Sequence, residues 1–284
     1  MPEMGGYETC KILKSDLDTA KIPVIFTADM NKVEDETHGF EVGCVDYITK
    51  PVSKPVVLAR VATQLSLHNQ RRELEEEANE RTAIYQESQK AAIYMLGEAG
   101  HYNDDDTGYH IWRMGAYSEA IARSAGWDVA KAEELQLAAA MHDTGKMGIP
   151  DSVLKKKGRL SMEEWQIMKS HTTMGHDILS KSKAEVFRIS SEIALYHHEK
   201  WNGKGYPKGL KGEEIPVSAR IVAIGDVFDA LTMKRPYKKA WPIDDSFDEI
   251  ERNAGTHFDP VLIDCFFKIK TEIIDIKKKW KEKH

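Results

Sequence analysis

The spacing of apolar positions changes along the chain. Near the start it comes in short runs. Ile22-Pro23-Val24-Ile25-Phe26 suits a buried parallel strand, a helical stretch follows from about Glu34 to Gly39, and Val45-Asp46-Tyr47-Ile48 reads as a second strand ended by Thr49-Lys50-Pro51. From Pro55 the spacing becomes helical (Val57, Leu58, Val61, Leu65) and runs without Gly or Pro to about Leu96. At roughly 40 residues this exceeds most globular helices. A 4-3 seam passes through Leu67, Arg71, Leu74, Ala78, Arg81, Tyr85, Ser88, Ala92 and Met95. Only part of it is apolar, so a dimeric helical pair and a solvated connecting helix are both open, with the pair favoured because a polar helix of this length needs support.

Beyond Gly97 the pattern is helix upon helix: His110 to Ala125, an alanine-rich Val129 to Met141, Met162 to Lys169, Val186 to Glu199, Val217 to Leu231, Ile243 to Asn253, and Pro260 to the lysine-rich end. Ser161 with Glu164 three residues on spells a capping box at one helix start. The fold class is therefore mostly α, with a short α/β segment in front.

A length of 284 residues leaves room for about two domains and a sizeable core. With 41% hydrophobic and 30% charged residues the chain is neither collagen-like nor wholly disordered. It has no apolar run of 18 residues and no basic-then-apolar leader, so neither a membrane span nor secretion is expected. Cys10, Cys44 and Cys265 are scattered without metal or disulfide spacing, which fits a reducing cytoplasm. A net charge of −6 argues against bulk nucleic-acid binding but leaves room for a local anion pocket.

Placement of the 11 histidines matters more than their number. His142-Asp143 ends the alanine-rich helix, and His110, His171, His197-His198 and Asp226 all sit in or beside predicted helices. Any one such histidine is more often a hydrogen-bonded core or surface residue than a ligand; five with two aspartates reverse that. Imidazoles and carboxylates together suit a borderline divalent ion such as Fe or Mn, and the two oxygens of Asp143 can bridge two ions. Consecutive residues on a helix point about 100° apart, so His197 and His198 can share an ion only at a helix end, which Asn202-Gly203 supplies. His38, His68 and His284 are read as surface residues. His101, His176 and His257 are left out of the site, His176 as a helix-surface residue and His257 as structural.

These residues carry a resemblance. His142-Asp143-Thr144-Gly145-Lys146, Met168-Lys169-Ser170-His171, the run His197-His198-Glu199-Lys200-Trp201-Asn202-Gly203-Lys204-Gly205-Tyr206-Pro207, and Asp226-Val227-Phe228-Asp229-Ala230-Leu231-Thr232 followed by Arg235-Pro236-Tyr237-Lys238 resemble the HD-GYP family over about residues 89–270. The resemblance implies an all-helical phosphodiesterase domain, placed at 89–284, that opens cyclic di-GMP to pGpG and often GMP. It implies metal ligands His110, His142, Asp143, His171, His197, His198 and Asp226. Lys146 would lie beside the scissile phosphate, Arg235 and Lys238 on substrate phosphates, and Gly205-Tyr206-Pro207 in a loop at the pocket. That loop has been suggested to dock a diguanylate cyclase. Family members with a third metal carry a glutamate four residues before the first histidine; here the position is Asp106, one methylene shorter. Two ions are therefore expected, with Asp106 either an outer group or a helix N-cap. Such a pair lowers the pKa of a shared water and clamps a phosphate oxygen, while Lys146, Arg235 and Lys238 offset charge on the phosphate.

Residues 1–67 resemble the back half of a response-regulator receiver domain, with Thr27-Ala28 and Lys50-Pro51 matching its switch threonine and its lysine before proline. The phosphoacceptor aspartate of that family would lie ahead of Met1. Half a doubly wound sheet exposes strand edges, so this segment is expected to be poorly ordered alone or paired with another chain. Residues 68–96 form the connecting helix and the expected homodimer contact. Three alternatives stay open: another substrate such as cyclic GMP-AMP or linear pGpG, a catalytically silent module that binds cyclic di-GMP or a partner, and a di-iron oxygenase, against which the Gly-Tyr-Pro loop argues.

Overall fold

A computed structural model describes residues 4–28, 33–101, 109–233 and 240–280. They divide into two compact units, Met1–Gln86 and Glu87–His284.

In the first unit, helix α1 (Gly6–Ser15), strand β1 (Ile25–Ala28), helix α2 (Val33–Glu41) and strand β2 (Asp46–Thr49) precede the long helix α3 (Lys54–His101). The strands pair in parallel, with Ile25 opposite Asp46 and Thr27 opposite Ile48. The first strand begins later than the apolar run suggested, because Pro23 has no N–H to give to a ladder. A small cluster of Cys10, Val42 and Cys44, backed by Tyr7, Val24 and Phe26, holds this layer together. Among the described residues this two-stranded sheet is all the β structure in named strands, so the α/β character of the segment is slight.

Helix α3 runs one turn beyond the predicted end at Leu96. That last stretch buries Ile93, Tyr94, Gly97, Gly100 and His101 in the second unit, whereas the seam residues Leu67, Leu74, Tyr85 and Met95 stay exposed.

The second unit is helical. Helices α4 (His110–Ser124) and α5 (Val129–Ala139) pack side by side, and a 3₁₀ turn (Thr144–Gly148) follows. Then come α6 (Asp151–Leu154), α7 (Met162–Lys169), α8 (His171–Leu179), α9 (Glu185–Tyr196), α10 (Val217–Thr232), α11 (Ile243–Arg252), α12 (Pro260–Lys268) and α13 (Lys270–Lys279). The main core between them includes Tyr117, Leu135, Ile193, Phe228, Phe247 and Phe266, each fully buried, and a smaller cluster of Tyr94, Ile111 and Ala140 lies apart from it. The capping box at α7 forms as read: Glu164 N–H donates to Ser161 Oγ and Ser161 N–H donates to the Glu164 carboxylate. Such a cap contributes about 1 kcal/mol.

Further boundaries differ from expectation, and α9 stops at Tyr196, three residues short of Glu199. The alanine-rich helix stops at Ala139, two residues short of Met141, so His142 and Asp143 lie in a tight turn rather than at a helix end. The C-terminal helix breaks at Ile269 (φ −110°, ψ 22°). The break lets Ile263 and Phe266 on one side and Ile273 on the other reach the same core, which one straight helix could not do.

Candidate metal centre

The site is built where helix ends converge. The turn after α5 carries His142 and Asp143, the first residue of α8 is His171, and the end of α9 carries His197 and His198. Close approach of these elements depends on Gly145: a Cβ there would lie 1.9 Å from the His171 carbonyl oxygen. His197 caps α9 and His198 follows outside the helix, so both rings turn inward, with centroids 4.0 Å apart.

Ligand atoms of Asp143, His171, His197 and His198 lie within 4.8 Å of one another, and those of His101, His110 and His142 form a second such group. Asp143 faces both. Its Oδ1 is 3.4 Å from His171 Nε2 and 3.6 Å from His197 Nε2, while its Oδ2 is 3.3 Å from His142 Nε2 and 2.7 Å from Lys146 Nζ.

The tautomers are set from behind. His142 Nδ1 donates to the Ala139 carbonyl (2.9 Å), His171 Nδ1 to the Met168 carbonyl (2.7 Å) and His197 Nδ1 to the Ile193 carbonyl (3.0 Å). A carbonyl only accepts, so each Nδ1 carries a hydrogen and Nε2 is the atom each ring turns to the site. Those three Nε2 atoms, with Asp143 Oδ1, are buried and have no hydrogen-bond partner. An unmade hydrogen bond of a buried group costs about 1–3 kcal/mol. Such atoms from an aspartate and three histidines fit divalent cations, one among Asp143 Oδ1, His171 and His197 and another on the side of His142.

The electrostatics agree with that fit. Although burial opposes ionisation, Lys146 and His142 hold the Asp143 carboxyl well below the usual carboxylate range. Burial also opposes a charge on His142, yet Asp143 and Asp226 raise its pKa to about 9; a divalent cation would feel the same field. Burial keeps His171 neutral, with its pKa lowered to about 4.

Asp226, on α10, is half-buried and belongs to neither group of converging ligand atoms. One turn later Asp229 is buried and bonded to His110 and Arg113. Asp106, Arg235 and Lys238 lie outside the described residues. Tyr206 stands over the site: its ring centroid is 4.8 Å from that of His198, its N–H donates to the His198 carbonyl, and burial raises the pKa of its hydroxyl. Gly205 is needed there, since a Cβ would lie 2.4 Å from Glu199 Cα.

Sequence reasoning passed over three residues. His101 is buried beside the site instead of lying outside it. Glu199, only 2% exposed, accepts from the backbone N–H groups of Lys208, Gly209 and Leu210 and so folds the chain after Pro207. Asp229 sat in a quoted motif without a role. His176 is not a surface residue: half-buried, its Nδ1 lies 3.2 Å from the Ser191 carbonyl oxygen. His68 is half-buried too. His257 stacks flat on Phe258, with ring centroids 4.2 Å apart.

The sequence profile described as HD domain matches residues 74–262. The chain belongs to the HD-domain family. The chain is 36% identical over 296 residues to a protein of Thermotoga maritima named "Cyclic di-GMP phosphodiesterase", an alignment spanning 99% of this chain and 80% of that one. A protein of Vibrio cholerae serotype O1 named "Probable cyclic di-GMP phosphodiesterase" is 38% identical over 301 residues, spanning 99% of this chain and 68% of that one. Among solved structures, a cyclic GMP-AMP specific phosphodiesterase of V. cholerae superposes with a TM-score of 0.52 at 19% identity, covering 68% of this chain and 51% of that one. That last likeness speaks for the HD fold alone. No helix among the described residues is long and apolar enough to cross a membrane.

Proposed function

We propose that this chain is a metal-dependent phosphodiesterase that hydrolyses cyclic di-GMP to pGpG, and onward to GMP. One observation carries the reading: the buried Nε2 atoms of His142, His171 and His197 have no partner and gather about the carboxylate of Asp143. The substrate is supported by relatives named cyclic di-GMP phosphodiesterases, or probable ones, that align with 99% of this chain. The proposed ligands are His110, His142, Asp143, His171, His197, His198 and Asp226, and the mixed nitrogen and oxygen set suits two Fe or Mn ions. When bound, such ions activate water toward phosphorus and polarise a phosphate oxygen.

The protein's own groups do the rest. Asp143 presents one oxygen to each group of histidines and holds them in register. Lys146, anchored 2.7 Å from Asp143 Oδ2, brings a positive charge to the site for the phosphate. The ring of Tyr206 lies beside His198 and is the aromatic group at the site suited to stack on a guanine base. Arg235 and Lys238 complete the set as phosphate contacts, and the Gly205-Tyr206-Pro207 loop is the contact proposed for a diguanylate cyclase.

We also infer a homodimer along α3, where Leu67, Leu74, Tyr85 and Met95 are exposed. Residues 1–67 are read as receiver-derived. Sedimentation as a monomer at micromolar concentration would rule out the dimer.

Chromatography tests the activity. Protein loaded anaerobically with Fe(II) or Mn(II) is incubated with cyclic di-GMP, cyclic GMP-AMP and cyclic di-AMP in parallel, with and without chelator. Chelator-sensitive conversion of cyclic di-GMP is expected. Conversion of cyclic GMP-AMP alone would move the substrate, and conversion of none by metal-loaded protein would leave a binding module.

A further inference from the structure

His101 is the last described residue of α3, and the motif that defines the site does not contain it. It is 7% exposed, and neither of its ring nitrogens has a hydrogen-bond partner. A ring with both nitrogens buried and unpaired is costly to fold around. The ring lies against the site: its centroid is 4.9 Å from that of His110 and 5.5 Å from that of His142. One nitrogen from each of these three histidines falls within 4.8 Å of the others, and His101 Nε2 is 3.9 Å from Asp143 Oδ2.

The two oxygens of Asp143 divide the surrounding imidazoles. Oδ1 faces His171 and His197, with His198 in the same group, and Oδ2 faces His142 and His101, with His110 in theirs. Nδ1 of His142 is committed to a backbone carbonyl and that of His110 to the Asp229 carboxylate, so both rings have only Nε2 to offer. His101 alone has both nitrogens uncommitted.

We propose that His101 is itself a metal ligand, completing with His110, His142 and Asp143 Oδ2 a second ion subsite beside that of Asp143 Oδ1, His171, His197 and His198. This rests on the reading of the centre as a metal site. Three imidazoles and one carboxylate oxygen, with Asp226, whose charge acts on His142, as a further oxygen donor, suit Fe(II), Mn(II) or Zn(II).

Metal counting tests it without turnover. Wild type, H101A, H101Q and H171A, each full-length and checked for helicity by circular dichroism, are loaded with Fe(II) anaerobically, desalted and counted by mass spectrometry of the metal. The wild type should keep two ions per chain, and H101A and H101Q one. Adding imidazole should return the second ion to H101A, which repair of a merely structural role would not do. H101Q keeps a polar side chain and carries the same count should H101A not fold. Two ions retained in either His101 variant, or no return with imidazole, would overturn the role of His101. If the wild type keeps no ion and H171A matches it, the metal centre itself fails, and His101 with it.

Discussion

Asp229 Oδ2 accepts a 2.8 Å hydrogen bond from His110 Nδ1, and the same carboxylate is gripped by Arg113 through Nε at 2.6 Å and a second guanidinium nitrogen at 2.9 Å. Despite burial, His110 and Arg113 lower the Asp229 pKa to about 2, so the group is an acceptor only and His110 must present Nε2 to the site. The remaining Arg113 nitrogen donates to the Trp280 carbonyl at the end of α13, which links the centre to the last helix described.

Replacing Asp229 by Ala strands a buried guanidinium and frees the His110 ring. Breaking a buried pair in this way costs about 3–5 kcal/mol, and losing the carboxylate behind a ligating histidine weakens metal binding by roughly 10–100-fold. Urea unfolding and metal titration of D229A measure the two effects separately. Unchanged metal affinity would remove Asp229 from any role behind His110.

Lys146 is predicted to act on the phosphate and not on the ions. K146A should lower turnover by on the order of 100-fold, the usual effect of removing one charge-stabilising donor, while its metal content stays at the wild-type level. Loss of metal together with activity would instead make Lys146 a structural partner of Asp143.

Glu199 accepts three backbone N–H groups in the chain segment after Tyr206. Hydrogen bonds to a charged group are worth about 1.5–3 kcal/mol each, so E199A should loosen this segment. Limited trypsin digestion is expected to cut E199A faster than wild type at Lys208. E199Q, which loses only the Leu210 bond to Oε2, should lie between the two.

His257 supplies a pH dependence. Burial and the nearby Lys200 lower its pKa to about 4 from an ordinary 6.5. The unfolded chain therefore binds more protons than the folded one between those values, and folding stability falls as pH drops from 6.5 toward 4. H257Q should flatten that slope by up to about 1.4 kcal/mol per pH unit. An unchanged slope in urea unfolding of metal-free protein would show that His257 takes up its proton without cost.

Local features were legible in the sequence. The capping box at Ser161 depends on residues three apart, and the inward turn of both His197 and His198 follows from a helix that ends at Tyr196, just before them. What sequence did not show depends on approach between distant elements. His101 belongs to the site because α3 continues one turn past Leu96. Asp229 is fixed by Arg113, 116 residues away. His176 reads as a surface position until α8 packs on α9 and places it against Ser191. The break at Ile269 likewise answers to the core and not to any Gly or Pro in the helix.

The central claim is that metal held by this histidine–aspartate centre directs water onto the phosphorus of cyclic di-GMP. Its most direct test is turnover in ¹⁸O-labelled water by metal-loaded wild type and by D143A, with mass spectrometry of the product. The account predicts pGpG carrying one ¹⁸O in its terminal 5′-phosphate from wild type, and neither product nor full metal content from D143A. Product formed equally well by D143A, or no product from wild type holding both ions, would contradict it.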